Sequence, residues 1–127
     1  MENYHNPVKT KTNGTGGKRR KAGDKLLAHM GSPPTNSKLG TKEVRKLAAM
    51  RGNHMKVKLK TAMYMNVLGK DGKISKVKMR NVVETPDNRH HARQNILTHG
   101  AIVDTEAGKA KITNRVGQDG VVNGRLL

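Results

Sequence analysis

The run Met55-Lys56-Val57-Lys58-Leu59-Lys60 alternates apolar and basic residues without a break. In a strand, successive side chains point to opposite faces, so Met55, Val57 and Leu59 share one side and Lys56, Lys58 and Lys60 the other. A helix, with a period of 3.6, would scatter both classes around its cylinder. The segment therefore requires a β-sheet: one face asks for a core, and the other offers three ammonium groups to a polyanion. A solvated edge strand guarded by lysines would show the same alternation, so the rest of the chain has to separate the two readings.

Charge favours the polyanion. The chain carries 26 Lys and Arg against 9 Asp and Glu, a net +17. A surplus of that size makes a compact state repel itself, and it is normal where a polyanion supplies the counter-charge. It is uneven: residues 1–60 hold 15 basic and 3 acidic side chains, residues 61–127 hold 11 and 6. Only Tyr4 and Tyr64 bring rings, with no Trp or Phe, so the core must be small and made of Val, Ile, Leu and Met. The absence of Cys removes disulfides, thiolate metal sites and cysteine nucleophiles, and fits a reducing compartment. No apolar run approaches the ~18 residues of a membrane span, and no secretory leader or bulky amphipathic helix is visible. The expectation is a soluble, cytoplasmic protein with no membrane partner.

A chain of 127 residues predicts one domain with tails. Residues 1–40 read as a basic, mostly irregular N-terminal extension. Asn13-Gly14-Thr15-Gly16-Gly17 orders only at high entropic cost, Lys18-Arg19-Arg20-Lys21 follows, and Leu26, Leu27 and Met30 are the only apolar cluster. Free in solution such a segment is expected to be disordered and to order on a partner. Residues 41–127 read as a β domain. Thr41–Met50 carries both a helix signal and a strand signal. Gly52-Asn53 just beyond it is a hairpin turn and favours a strand over Val44–Met50 pairing back on Met55–Met65. After a turn at Gly69–Lys73, Ile74–Val83 repeats the apolar/basic alternation, with Lys76, Lys78 and Arg80 on one side. Arg89–Arg93 reads as a basic connector, Asn95–Leu97 as a short strand, Ala101–Thr105 and Lys109–Arg115 as a hairpin, Gly117–Gly120 as a turn, and Val121-Val122 as the start of a last strand. Short strands at this turn spacing argue an all-β barrel or sandwich.

Three phrases near the C-terminus carry a family resemblance: Asn95-Ile96-Leu97-Thr98-His99-Gly100-Ala101, Thr105-Glu106-Ala107-Gly108-Lys109-Ala110, and Asn114-Arg115-Val116-Gly117-Gln118-Asp119-Gly120-Val121-Val122-Asn123. They resemble the S8e family of archaeal and eukaryotic small-subunit ribosomal proteins. Thr15-Gly16-Gly17-Lys18, Lys38-Leu39-Gly40, Arg51-Gly52-Asn53 and Pro86-Asp87-Asn88 fall in that family's order, and the uninterrupted middle looks archaeal. The resemblance implies a small β-barrel body with a basic N-terminal extension embedded in small-subunit rRNA, adjoining other ribosomal proteins, and not an obligate homo-oligomer.

The candidate RNA-binding residues follow from both lines. In the extension they are Lys9, Lys11, Lys18, Arg19, Arg20, Lys21, Lys25 and Lys38, where glycines let the backbone approach phosphates and Arg can fork onto one phosphate. In the β domain they are Arg51, Lys56, Lys58 and Lys60, then Arg89, His90 and Arg93, suited to the shape, phosphate and 2′-hydroxyl readout of structured RNA. The bland alternatives are a solvated tail and a solvated sheet face. His90-His91 as a metal site lacks further ligands at useful spacing. Gly14–Lys18 fails as a phosphate loop, with Arg19 where Ser or Thr should stand and no strand before it. No nucleophile, base or paired carboxylates form a catalytic set. The chain is therefore expected to be no enzyme and to take no cofactor or metal. The favoured function is structural rRNA binding in the small subunit. An assembly factor on precursor rRNA particles and a DNA-compacting protein are the alternatives.

Overall fold

Gly52 and Asn53 both adopt left-handed backbone, with φ of 70° and 60°, and the turn they form sets Val44–Ala49 antiparallel to Met55–Ala62. The computed structural model describes residues 3–20 and 23–127, in two compact units, Met1–Pro34 and Thr35–Leu127.

In the first unit the chain pairs only in short bridges. The Lys11 N–H donates to the Gly17 carbonyl (2.8 Å) and the Arg19 N–H to that of Lys9 (2.7 Å). These bonds close a turn through Gly14 and Gly16, whose φ values of 79° and 68° suit glycine. Tyr4 bridges Met30, the His5 N–H donates to the His29 carbonyl, and Leu27–His29 forms one 3-10 turn.

In the second unit, β1 (Lys38–Leu39), β2 (Val44–Ala49) and β3 (Met55–Ala62) form a sheet in the order β1-β3-β2. β2 and β3 are antiparallel, pairing Ala49 with Met55, Leu47 with Val57 and Lys46 with Lys58. The strand reading of this region holds, with β2 ending at Ala49. Beyond it, β4 (Tyr64–Leu68), β5 (Ile74–Glu84), β6 (Ile102–Thr105), β7 (Gly108–Ile112) and β8 (Asn123–Leu126) close a barrel. β8 lies parallel to β4 to complete the ring, and the other pairs are antiparallel. Met65, Val67, Met79, Val82, Val103, Ala110 and Ile112 fill its interior together with Leu59, Leu97, Val116 and Val122. The core is ring-free, as the composition requires, and burial of each large side chain contributes about 1.5–3 kcal/mol. At the β8 position facing Met65, a Cβ on Gly124 would lie 1.9 Å from Met65 Cε and 2.6 Å from the Lys111 carbonyl oxygen. Only glycine fits there.

Several expectations are corrected. Met55–Met65 is not one strand but two, broken at Met63. Leu59, Ala62 and Met65 are buried at intervals of three, which a period of two forbids. The first slip is taken up by the register shift that skips Lys60, between Leu59 and Thr61, and the second at Met63 as the chain passes from sheet to barrel. The apolar face of β3 joins the core only at its inner end. Leu59 is buried, whereas Met55 and Leu47, the partner of Val57, are 62% and 63% exposed. Asn95–Leu97 is not a strand: Asn95 is left-handed at φ 53°, and Ile96 makes only an isolated bridge to Lys38. Arg89–Arg93 is a helix, α1, and Val116–Asp119 is a second, α2, ended by Gly120 at φ 73°.

Candidate nucleic-acid interface

The β2–β3 hairpin sets basic side chains face to face. Lys46 and Lys58 are direct cross-strand partners, and Ala48 lies opposite Lys56. Side chains so placed stand with Cβ atoms about 4.5–5.5 Å apart, where like charges destabilise a sheet. Lys58 is half-buried and Lys46 exposed. Lys56, also half-buried, donates from Nζ to Gln118 Oε1 at 2.5 Å, which ties α2 to the strand. Lys60 is exposed, and Lys38, in β1, is exposed beside Thr61. Lys46 was missed in the sequence: a two-residue Gly52-Asn53 turn would set it opposite Leu59, and it is the three-residue loop Arg51–Asn53 that sets it opposite Lys58.

Helix α1 displays a second basic group. Asn88 caps it, accepting from the His90 N–H at 2.9 Å, while Thr85 Oγ1 accepts from the Ala92 N–H at 3.1 Å. Arg89, His90 and Arg93 are exposed. His91 turns the other way, with Nδ1 3.1 Å from Asp87 Oδ2, and Asp87 Oδ1 accepts from Thr98 Oγ1 at 3.0 Å. Partial burial pushes the Asp87 carboxyl up, but the bonds from Thr98 and His91 outweigh it and hold the group below the ordinary carboxylate value. Asp87 thus pins the helix that carries Arg89, His90 and Arg93.

In the first unit, the bridge between Thr10 and Lys18 brings Lys9, Lys11, Lys18 and Arg19 onto one short paired segment. Arg20 and Lys25 are exposed, with Lys25 Nζ 5.5 Å from the Tyr4 ring centroid. Lys21 and the Arg51 side chain lie outside the described residues.

The barrel adds cations that the strand alternation only half revealed. Lys76 Nζ sits 4.8 Å from the centroid of the Tyr64 ring, and Lys78 is the cross-strand partner of Tyr64. Lys111 faces Arg125 across β7 and β8, a second pair of like charges set opposite each other. No local signal in the sequence brings Arg125 to Lys111, because β7 and β8 pair only after the intervening segment with α2 has folded. Among the described residues, no group of three His, Cys, Asp or Glu side chains could hold a metal ion, and no helix is long and apolar enough to cross a membrane.

A three-stranded sheet and a five-stranded closed barrel, each with a pair of facing cations, define a small cationic β-barrel protein. Comparison with known proteins makes the class particular. The family model described as ribosomal protein S8e matches residues 7–127. The chain is 46% identical over 114 residues to the small ribosomal subunit protein eS8 of Staphylothermus marinus, covering 89% of each chain. The proteins of the same name from Methanococcus maripaludis and Nanoarchaeum equitans are each 44% identical to it over 114 residues, again with 89% of both chains covered. The chain belongs to the ribosomal protein S8e family.

Proposed function

We propose that this protein is a structural, non-catalytic constituent of the small ribosomal subunit in the cytoplasm, where it binds and stabilises rRNA beside neighbouring ribosomal proteins. The names of its relatives support the place. The observation that carries the RNA-binding reading is Lys46 opposite Lys58, a repulsive pair that phosphates lying across it would neutralise. Residues 1–40 act as an RNA-embedded extension through Lys9, Lys11, Lys18, Arg19, Arg20, Lys21, Lys25 and Lys38. Residues 41–127 act as a barrel that docks through Arg51, Lys56, Lys58, Lys60, Arg89, His90 and Arg93. The driving force is counterion release from the phosphate backbone, with ordering of the extension completed on the RNA.

Replacing Lys18, Arg19, Arg20 and Lys21 by Ala tests this. Binding to small-subunit rRNA weakens and its salt dependence flattens by close to one unit of slope per lost phosphate contact. A slope that does not move removes the extension from the mechanism. In sucrose gradients the protein sediments with translating small subunits, from which a transient assembly factor would be missing.

A further inference from the structure

On one side of the second unit, the junction between the β2–β3 sheet and the barrel leaves a hollow of about 160 Å³. Leu59 and Val122, both buried, give it an apolar floor, and Arg45, Tyr64, Asn66 and Lys76 stand in its walls. We infer that this hollow receives a single unpaired nucleotide of the RNA, its base stacked against Tyr64 and Arg45 and its phosphate held by Lys76 and Lys78. The inference rests on the RNA-binding reading above and names the element of RNA that this part of the surface takes.

The placement of Tyr64 is the first reason. A chain with two aromatic residues and a core poor in bulk would gain most by burying a ring, yet Tyr64 stays 38% exposed at the hollow. Its ring is already in use as a π surface, with the Lys76 ammonium 4.8 Å from its centroid. Arg45 provides a second plane. Its Nη2 is held 3.0 Å from Glu43 Oε2, which orders a guanidinium that can stack on a heterocycle. Asn66 supplies polar recognition. Its Nδ2 donates to Asn123 Oδ1 at 3.0 Å, which fixes the amide and aims its oxygen elsewhere as an acceptor for an N–H on a base edge.

Size and chemistry narrow the occupant. The hollow is well below the ~300 Å³ at which pockets for drug-sized ligands begin, so it suits one flat ring system. The Glu43 carboxylate in the wall and the apolar floor make poor lodging for an inorganic anion, whereas Lys76 in the wall and Lys78, across the strand from Tyr64, stand on the side from which the backbone of the same nucleotide would approach. Unpaired bases splayed onto aromatic or guanidinium planes are the usual way in which RNA offers sequence to a protein.

The test uses the full-length protein, small-subunit rRNA, and chemical probing of base reactivity. Wild type and Tyr64→Phe protect one unpaired nucleotide. Tyr64→Leu leaves it reactive and binds about ten-fold more weakly or worse, the scale of one base–aromatic stack. Because Tyr64→Leu removes no charge, the salt slope stays the same while affinity falls. Arg45→Ala, at the second plane, also exposes the nucleotide. If wild type binds and Tyr64→Leu matches it in affinity and in every base reactivity, the hollow takes no nucleotide and the proposal is overturned, with the electrostatic reading intact. If wild type binds no rRNA, both readings fail together.

Discussion

Lys46 stands directly opposite Lys58 across the β2–β3 pair, two ammonium side chains on one face of a three-stranded sheet. The neighbouring strand residue Arg45 has its own carboxylate in Glu43, 3.0 Å away, so acidic partners are within reach of this hairpin and are not spent on the lysine pair. In the isolated protein the pair costs stability. Under the proposed contact with phosphate it would become a gain, so that folding and binding would select opposite residues at the same position.

Lys46→Glu should therefore separate the two. In the free protein the new ion pair with Lys58 replaces a repulsion, adding roughly 0.2–1 kcal/mol and raising the thermal midpoint by a few degrees. On rRNA the same variant binds more weakly, with a salt slope shallower by at least one unit. Calorimetry and a salt titration on the one protein check both signs. A variant that is less stable, or that binds as well as wild type, contradicts the assignment of this face.

Gly124→Ala should destabilise the barrel without touching a charge. The added methyl meets the end of Met65, which can move, and the Lys111 carbonyl oxygen at 2.6 Å, which cannot without bending β7. Overpacking of this kind costs about 1–3 kcal/mol, read as a lower midpoint in urea denaturation. Shortening Met65 alongside it relieves only the side-chain part, so the double variant remains weaker than wild type.

Asp87 makes stability depend on acid. Partial burial raises its pKa, but the hydrogen bonds from Thr98 and His91 prevail and the folded value lies below the unfolded one. A carboxyl depressed in this way contributes stability that is present above its ordinary value near 4, and that contribution is lost as pH falls through the folded value. Asp87→Asn should flatten the acid limb of a plot of thermal midpoint against pH. With the side chain 43% exposed, the loss at neutral pH is no more than about 1 kcal/mol. An unchanged acid limb removes Asp87 from the account of how α1 is held.

Much of the sheet was legible. The alternation of Met55–Lys60 and of Ile74–Val83, the Gly52-Asn53 turn and the Glu106-Ala107-Gly108 turn place strands β2, β3, β5, β6 and β7 where they form. Helix α1 had a readable cap in Asn88, yet the basic residues after it suggested only a connector. Asn95 reads as strand because Ile96 and Leu97 follow it, although Asn tolerates left-handed backbone well; the bonds from the Asn95 and Ile96 N–H groups back to Ala92 and His91 make it the turn that ends α1.

Which side of β3 Lys56 and Lys58 occupy was decided by the sequence alone, because the two-residue period belongs to the backbone and needs no neighbour. Which cations meet was decided by the tertiary structure. Burial of Ala62 and Met65 in different phases breaks the chain at Met63, and the pairing of β8 with β7 across the α2 segment brings Arg125 beside Lys111. These pairings come from long-range burial of a shared core, so they leave no trace in any local pattern of residues.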